Sequence, residues 1–201
     1  MTQTDADAQT LAVYEQSVDR YEAVPMLPEH IAALNSFADA LPKGARVLDL
    51  GCGPGLQAET LTKAGLAVDA VDATEAFVAA AIARGIDARM ATFEDLPGNR
   101  VYDGIWASFS LLHAPRDAVA DHVARLAGAL TADGIFFLGM KTGEGEARDE
   151  IGRFYSYFSV DELHTMLTDA GLTVIDTVTG NGKGLSGSDD SYALIQARRD
   201  A

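Results

Sequence analysis

The chain has 201 residues, 48% of them hydrophobic and 22% charged, enough for one substantial core and unlike a disordered composition. With 30 acidic against 15 basic residues and no Lys/Arg run, the net charge of −15 argues against a protein that neutralises nucleic-acid phosphates. Cys52 is the only cysteine, which rules out an internal disulfide and a thiolate metal cluster, and no apolar run approaches the ~20 residues of a membrane span.

Residues 1–10 carry Asp5 and Asp7 and no basic or apolar stretch, so they do not read as a secretion signal, and a cytoplasmic protein is expected. Residues 11–20 read as a short helix, and residues 28–41 as a longer one, with Ile31, Leu34, Phe37 and Leu41 at helical spacing behind Pro28. A β-type run follows at 45–51, then a helix over 55–64 that stops at Gly65. Residues 67–72 form a second strand, and Thr74 is placed to cap the next helix, which carries Glu75 in its first turn and Arg84 in its last, with Gly85 beyond. A third strand at 86–91, a turn-rich stretch at 94–100 and a fourth strand at 102–108 continue the alternation. Residues 116–130 are helical, with Val119, Val123, Leu126 and Leu130 on one face; residues 131–134 turn the chain into a fifth strand at 135–141. Ser159 and Glu162 make a capping box for a helix reaching Asp169, and strands at 172–178 and 192–198 finish the chain. Repeated strand–helix units imply a parallel sheet covered on both faces. The last two strands are joined by a glycine-rich loop, 180–188, without a crossover helix, so the final strand is expected antiparallel. A single domain is expected, with residues 1–41 as an N-terminal helical cap and 45–198 as an α/β core.

The most informative segment is Val47-Leu48-Asp49-Leu50-Gly51-Cys52-Gly53-Pro54-Gly55, a buried strand running through three glycines into a helix. Such a loop lets a ligand approach bare backbone, and the helix start offers free N–H groups to it. A dinucleotide fingerprint needs Gly-x-Gly-x-x-Gly, and Leu56 stands where its third glycine belongs. The segment resembles motif I of the class I S-adenosylmethionine-dependent methyltransferases. Further matches follow in order: Asp72 closing the second strand, 91–97 beside the adenine, 102–108 with Leu111, Leu112 and His113 along the methionine portion, and the 131–134 turn.

The resemblance implies an α/β three-layer Rossmann-like sandwich around a seven-stranded, mostly parallel sheet of order 3-2-1-4-5-7-6, its last strand antiparallel. It implies S-adenosyl-L-methionine as cofactor, contacted by Gly51, Cys52, Gly53, Gly55, Asp72, Ala73, Thr92, Phe93, Ser108 and Leu111, with Asp72 on the ribose hydroxyls. Tyr14 and Tyr21 resemble an N-terminal helix that closes over the methionine moiety; ordinary packing is the other reading. His113 stands open as a general base, a pocket residue or a cap. Asp49 and Cys52 read as structural, Trp106 as core or ligand contact. His30, His122 and His164 fall on helices, as surface or flanking residues. The charged segment 141–157 is similar to a loop in bacterial methyltransferases likened to tellurite-resistance enzymes, and it offers Lys141, Arg153, Tyr155 and Tyr157 to an acceptor.

The expectation is therefore methyl transfer to a small-molecule acceptor, with no metal, no nucleic acid and no membrane partner, in a monomer or a homodimer. A non-catalytic cofactor-binding module and, less favoured, a nicotinamide-dependent oxidoreductase are the alternatives.

Overall fold

The structure, a computed structural model, describes residues 7–95 and 101–200. Residues 1–6 of the polar tail, residues 96–100 of the expected turn and residue 201 lie outside it. Three helices come first, α1 (Ala8–Glu15), α2 (Val18–Glu22) and α3 (Pro28–Asp39). The expected helix over 11–20 is thus broken, at Ser17, whose hydroxyl bonds the Val13 carbonyl at 2.6 Å. Asp7 caps α1 by accepting the Thr10 N–H.

The alternating core follows as β1 (Arg46–Leu50), α4 (Leu56–Lys63), β2 (Ala67–Asp72), α5 (Glu75–Ala83), β3 (Ala88–Met90), β4 (Tyr102–Ser108), α6 (Arg116–Ala129) and β5 (Leu130–Lys141). Then come β6 (Glu146–Arg148), β7 (Phe154–Ser156), α7 (Val160–Asp169), β8 (Leu172–Lys183) and β9 (Asp189–Arg199). The main sheet has the order β3-β2-β1-β4-β5-β9-β8. β9 runs antiparallel to both neighbours while β1 to β5 pair in parallel. Counted within this sheet alone, that is the expected order; the higher labels arise because the β6–β7 hairpin intervenes.

Period-two alternation builds a core on each face. Ile105 and Ala107 of β4 and Phe136 and Leu138 of β5 pack with Val119, Val123 and Leu126 of α6 and Leu163 and Leu167 of α7. Trp106, Ile135 and Phe137, one residue out of phase, pack instead with Leu34 and Phe37 of α3 and Leu61 of α4. These are the three layers.

Several expectations are corrected. The expected 180–188 loop is shortened to 184–188, because β8 and β9 stay paired to Lys183↔Asp189; Gly180 and Gly182 leave room there for the Tyr192 ring and Leu27. The 141–157 segment holds a hairpin, its turn closed by Asp149, which accepts from the Arg153 backbone N–H at 2.9 Å and pairs with its guanidinium at 2.7 Å. His30 and His122 are buried, not surface residues, since each lies on the apolar face of its helix. Thr74 makes no side-chain cap on α5. Glu15 caps it from the N-terminal segment, its carboxylate accepting the Glu75 and Ala76 N–H groups at 2.7 and 3.1 Å.

Candidate active site

At the carboxyl end of β1 the chain passes through Gly51, Gly53 and Gly55 with φ of 73°, 54° and 85°. A side chain at Gly51 would put its Cβ 2.4 Å from Cβ of Ser110, so only glycine lets the two loops meet. Asp72, half-buried at the end of β2, holds the loop: Oδ2 accepts the Gly53 N–H at 2.9 Å and Oδ1 the Thr74 N–H at 2.8 Å. Burial raises its pKa, against those hydrogen bonds. Asp49, beneath the loop, is fully buried. It accepts the Ala58 N–H of α4, yet its Oδ2 has no partner among the described residues. Burial first, and the Asp72 charge second, push its carboxyl up to about 8. Ser110 Oγ is likewise buried and without a partner among the described residues. Cys52 lies under the loop with its thiol against the Gly53 carbonyl at 3.4 Å, and burial pushes its pKa up, away from a reactive thiolate.

Two cavities flank this edge. A small one of about 90 Å³ lies between the glycine loop and the N-terminal helices. Of the expected cofactor residues it is lined by Tyr14, Tyr21, Gly51, Gly53, Asp72 and Ala73, then by Thr92 and Phe93. Cys52, Gly55 and Leu111 do not line it: Leu111 is core, and Gly55 begins α4. Ser108 lines instead a large cavity of about 630 Å³, with Lys141 and Tyr155. Arg153 and Tyr157 border neither cavity. Tyr21, Phe109 and His113 line both, and so form the partition. Phe109 holds its place with φ of 55°, an uncommon conformation for a bulky residue.

The partition is wired to the N-terminal helices. His113 Nδ1 lies 2.6 Å from the Phe154 carbonyl, which must accept, so this nitrogen carries the proton. Nε2, 2.8 Å from Tyr14 Oη, is therefore the lone-pair side and takes the Tyr14 proton. Arg153 donates to the same phenol oxygen at 2.9 Å. Burial lowers the His113 pKa to about 4, so the ring is neutral near pH 7. Asp7 pairs with Arg148 at 2.7 Å, and the Phe154 N–H donates to Thr10 Oγ1 at 2.8 Å. The β6–β7 hairpin therefore grips α1, and Tyr14, Tyr21 and Phe77 meet in edge-on and tilted ring contacts beside the glycine loop.

Sequence reasoning missed Ser110 and Phe77 in the small cavity and His30, Asp190 and Tyr192 in the large one. A signal existed for His30, which precedes Leu34 and Phe37 by four and seven positions on the buried face of α3.

Residues 47–134 match the model of a methyltransferase domain family. The match covers less than half of the chain, and the fold around it is that of known methyltransferase structures. The domain's surroundings are matched over nearly the whole chain by solved structures. Burkholderia thailandensis 1,6-didemethyltoxoflavin-N1-methyltransferase, bound to 1,6-didemethyltoxoflavin and S-adenosylhomocysteine, is 23% identical with a TM-score of 0.72, covering 96% of this chain and 88% of that one. The CcbJ methyltransferase of Streptomyces caelestis is 18% identical with a TM-score of 0.75, covering 97% and 100%. At these identities the likeness is one of fold. A trans-aconitate 2-methyltransferase of Mycolicibacterium gilvum is 38% identical over 89 residues, 43% of this chain, and the match spans 34% of the length of that relative.

No helix among the described residues is long and apolar enough to cross a membrane, and no cluster of metal-ligating side chains occurs among them. The site residues fit S-adenosylmethionine chemically. The unpartnered Ser110 hydroxyl belongs to the small cavity's lining and suits a polar group, the Asp72 carboxylate on the same lining suits ribose hydroxyls, and Asp49 lines neither cavity. They do not fit it in volume with α1 and α2 where they stand, since pockets for such ligands measure ~300–1,000 Å³.

Proposed function

We propose that the chain transfers a methyl group from S-adenosylmethionine to a small-molecule acceptor, in a single domain whose N-terminal helices act as a lid. The observation that carries this reading is the partition of Tyr21, Phe109 and His113 between a glycine-and-carboxylate cradle and a large apolar cavity. S-adenosylmethionine supplies a methyl group already activated on a sulfonium sulfur, which departs as a neutral thioether with the bonding electrons.

The chain's part is to bind, orient and exclude water. Asp72 grips the sugar, Ser110 serves the amino-acid end with Asp49 buried behind the loop, and Phe93 and Thr92 border the base. In-line positioning of this kind supplies up to ~7–11 kcal/mol. The acceptor occupies the large cavity, with Lys141 and Tyr155 on its wall and Arg153 and Tyr157 supporting from behind. A histidine lowered to about 4 is a weak base at neutral pH, so His113 is a positioning residue: with Nδ1–H fixed on the Phe154 carbonyl, its Nε2 accepts the Tyr14 hydroxyl and holds α1 against the partition. Opening of α1 and α2 is required for entry, and closure shuts out water.

The test is calorimetric titration with S-adenosylhomocysteine and, separately, NADH, followed by detection of S-adenosylhomocysteine release during turnover. Saturable binding of the first and none of the second is expected. The reverse would sink the assignment; binding without turnover on any acceptor would leave a cofactor-binding module.

A further inference from the structure

The large cavity has a charge inventory that says what it admits. Its walls are mainly apolar and aromatic, including Leu34, Phe109, Leu112, Tyr155 and Tyr192. The ionic side chains on its lining are Lys141 and Lys183 against Glu22, Glu59 and Asp190, two cations facing three carboxylates. Lys141, the buried cation, is matched in charge, Nζ lying 2.7 Å from Asp190 Oδ2 and 3.8 Å over the Tyr155 ring, although the ion pair lacks hydrogen-bond geometry. Lys183 is exposed to solvent. Arg153, the other cation nearby, is spent on Asp149 and the Tyr14 phenol. His30 is tied to Ser108 at 2.7 Å and lies parallel to Trp106, 9° between the planes. Burial keeps His30 and His113 neutral near pH 7.

An anion entering the buried part of this cavity would lose its water and meet no cation there without a counter-charge, Lys183 standing at the solvent-exposed rim, and the cost is several kcal/mol. A second ammonium would face Lys141. A flat uncharged ring meets aromatic walls and the His30–Ser108 pair. We propose that the acceptor is an uncharged, planar aromatic or heteroaromatic molecule with a weakly acidic O–H or N–H, and that carboxylates and oxyanions are excluded. The trans-aconitate 2-methyltransferase likeness therefore does not extend to a tricarboxylate acceptor. That this molecule is methylated rests on the proposed function; that the cavity selects it does not.

The experiment compares 1-naphthol, 1-naphthoate and trans-aconitate by calorimetry at pH 7.5, with and without S-adenosylhomocysteine. Naphthol is expected to bind about tenfold tighter than naphthoate, with trans-aconitate weaker still. Asp190→Asn, which strips the counter-charge from Lys141, is expected to bring naphthoate to parity or better while naphthol binding persists. Naphthoate or trans-aconitate bound tighter than naphthol by the parent protein overturns the inference, as does absent naphthol binding in protein that binds S-adenosylhomocysteine. No S-adenosylhomocysteine binding with naphthol selectivity intact overturns only the methyl-transfer reading.

Discussion

Asp49 links cofactor binding to a proton. Its carboxyl is raised from 3.8 to about 8 by burial and then by the Asp72 charge, so without ligand it is mostly protonated at neutral pH. Asp49 lines neither cavity, but on the proposed reading the ammonium group of S-adenosylhomocysteine lies over the glycine loop that covers it, and that positive charge favours the carboxylate form. The ionised fraction rises from ~1% at pH 6 to about half at pH 8, so apparent affinity should climb with pH across that window, by at most ~50-fold. Binding at pH 7 should release a proton fraction of at most ~0.9, read by calorimetry in two buffers of different ionisation enthalpy. His30 and His113, both lowered to about 4, do not titrate in this interval. The sign for stability runs the opposite way. A folded-state value above the unfolded one means the folded protein holds a proton the open chain has released, so ligand-free stability falls as pH rises from about 4 to about 8. Asp49→Asn should flatten both slopes. A pH-independent affinity between 6 and 8 in the parent protein would refute the reasoning.

Asp72→Ala removes two charge-assisted loop hydrogen bonds and the ribose acceptor; a ~100-fold weaker S-adenosylhomocysteine affinity is expected by calorimetry, with a Tm fall too small to account for it. Tyr14→Phe leaves buried His113 Nε2 without its donor and frees Arg153 of one partner, loosening α1 by ~1–3 kcal/mol; faster proteolytic nicking of the N-terminal helices and lower kcat/KM are the readouts. Gly51→Ala forces a Cβ into Ser110 on a left-handed backbone, and thermal melting should report ~1–3 kcal/mol lost along with cofactor binding.

Much of the architecture was legible because its determinants are local. The β1–loop–α4 unit, the strand-ending Asp72 and the Ser159–Glu162 capping box each declare themselves within a few residues. The antiparallel β9 followed from the missing crossover helix. What stayed hidden depends on distant partners. Nothing near Thr74 says that Glu15, 60 residues away in sequence, will cap α5 in its place. Nor does the charge-rich 141–157 segment say that its hairpin will hold Asp7 and Tyr14 while sending only Lys141 and Tyr155 into the large cavity. Glycines in 180–188 suggested a loop because the ring that needs their space, Tyr192, sits on the opposite strand. Ser110 became visible only when the two loops were brought together at Gly51.

Trp106 is the sole indole in the chain and is wholly shielded from water. It lies 3.7 Å from Phe137 between ring centroids, and its N–H is given to Gln57, which itself borders the large cavity beside His30. Its emission should accordingly be blue-shifted in the resting protein, and any occupant that displaces Gln57 or reorients His30 will change its quantum yield. The molecule thus contains a native optical gauge of acceptor occupancy, readable in a cuvette without label or turnover.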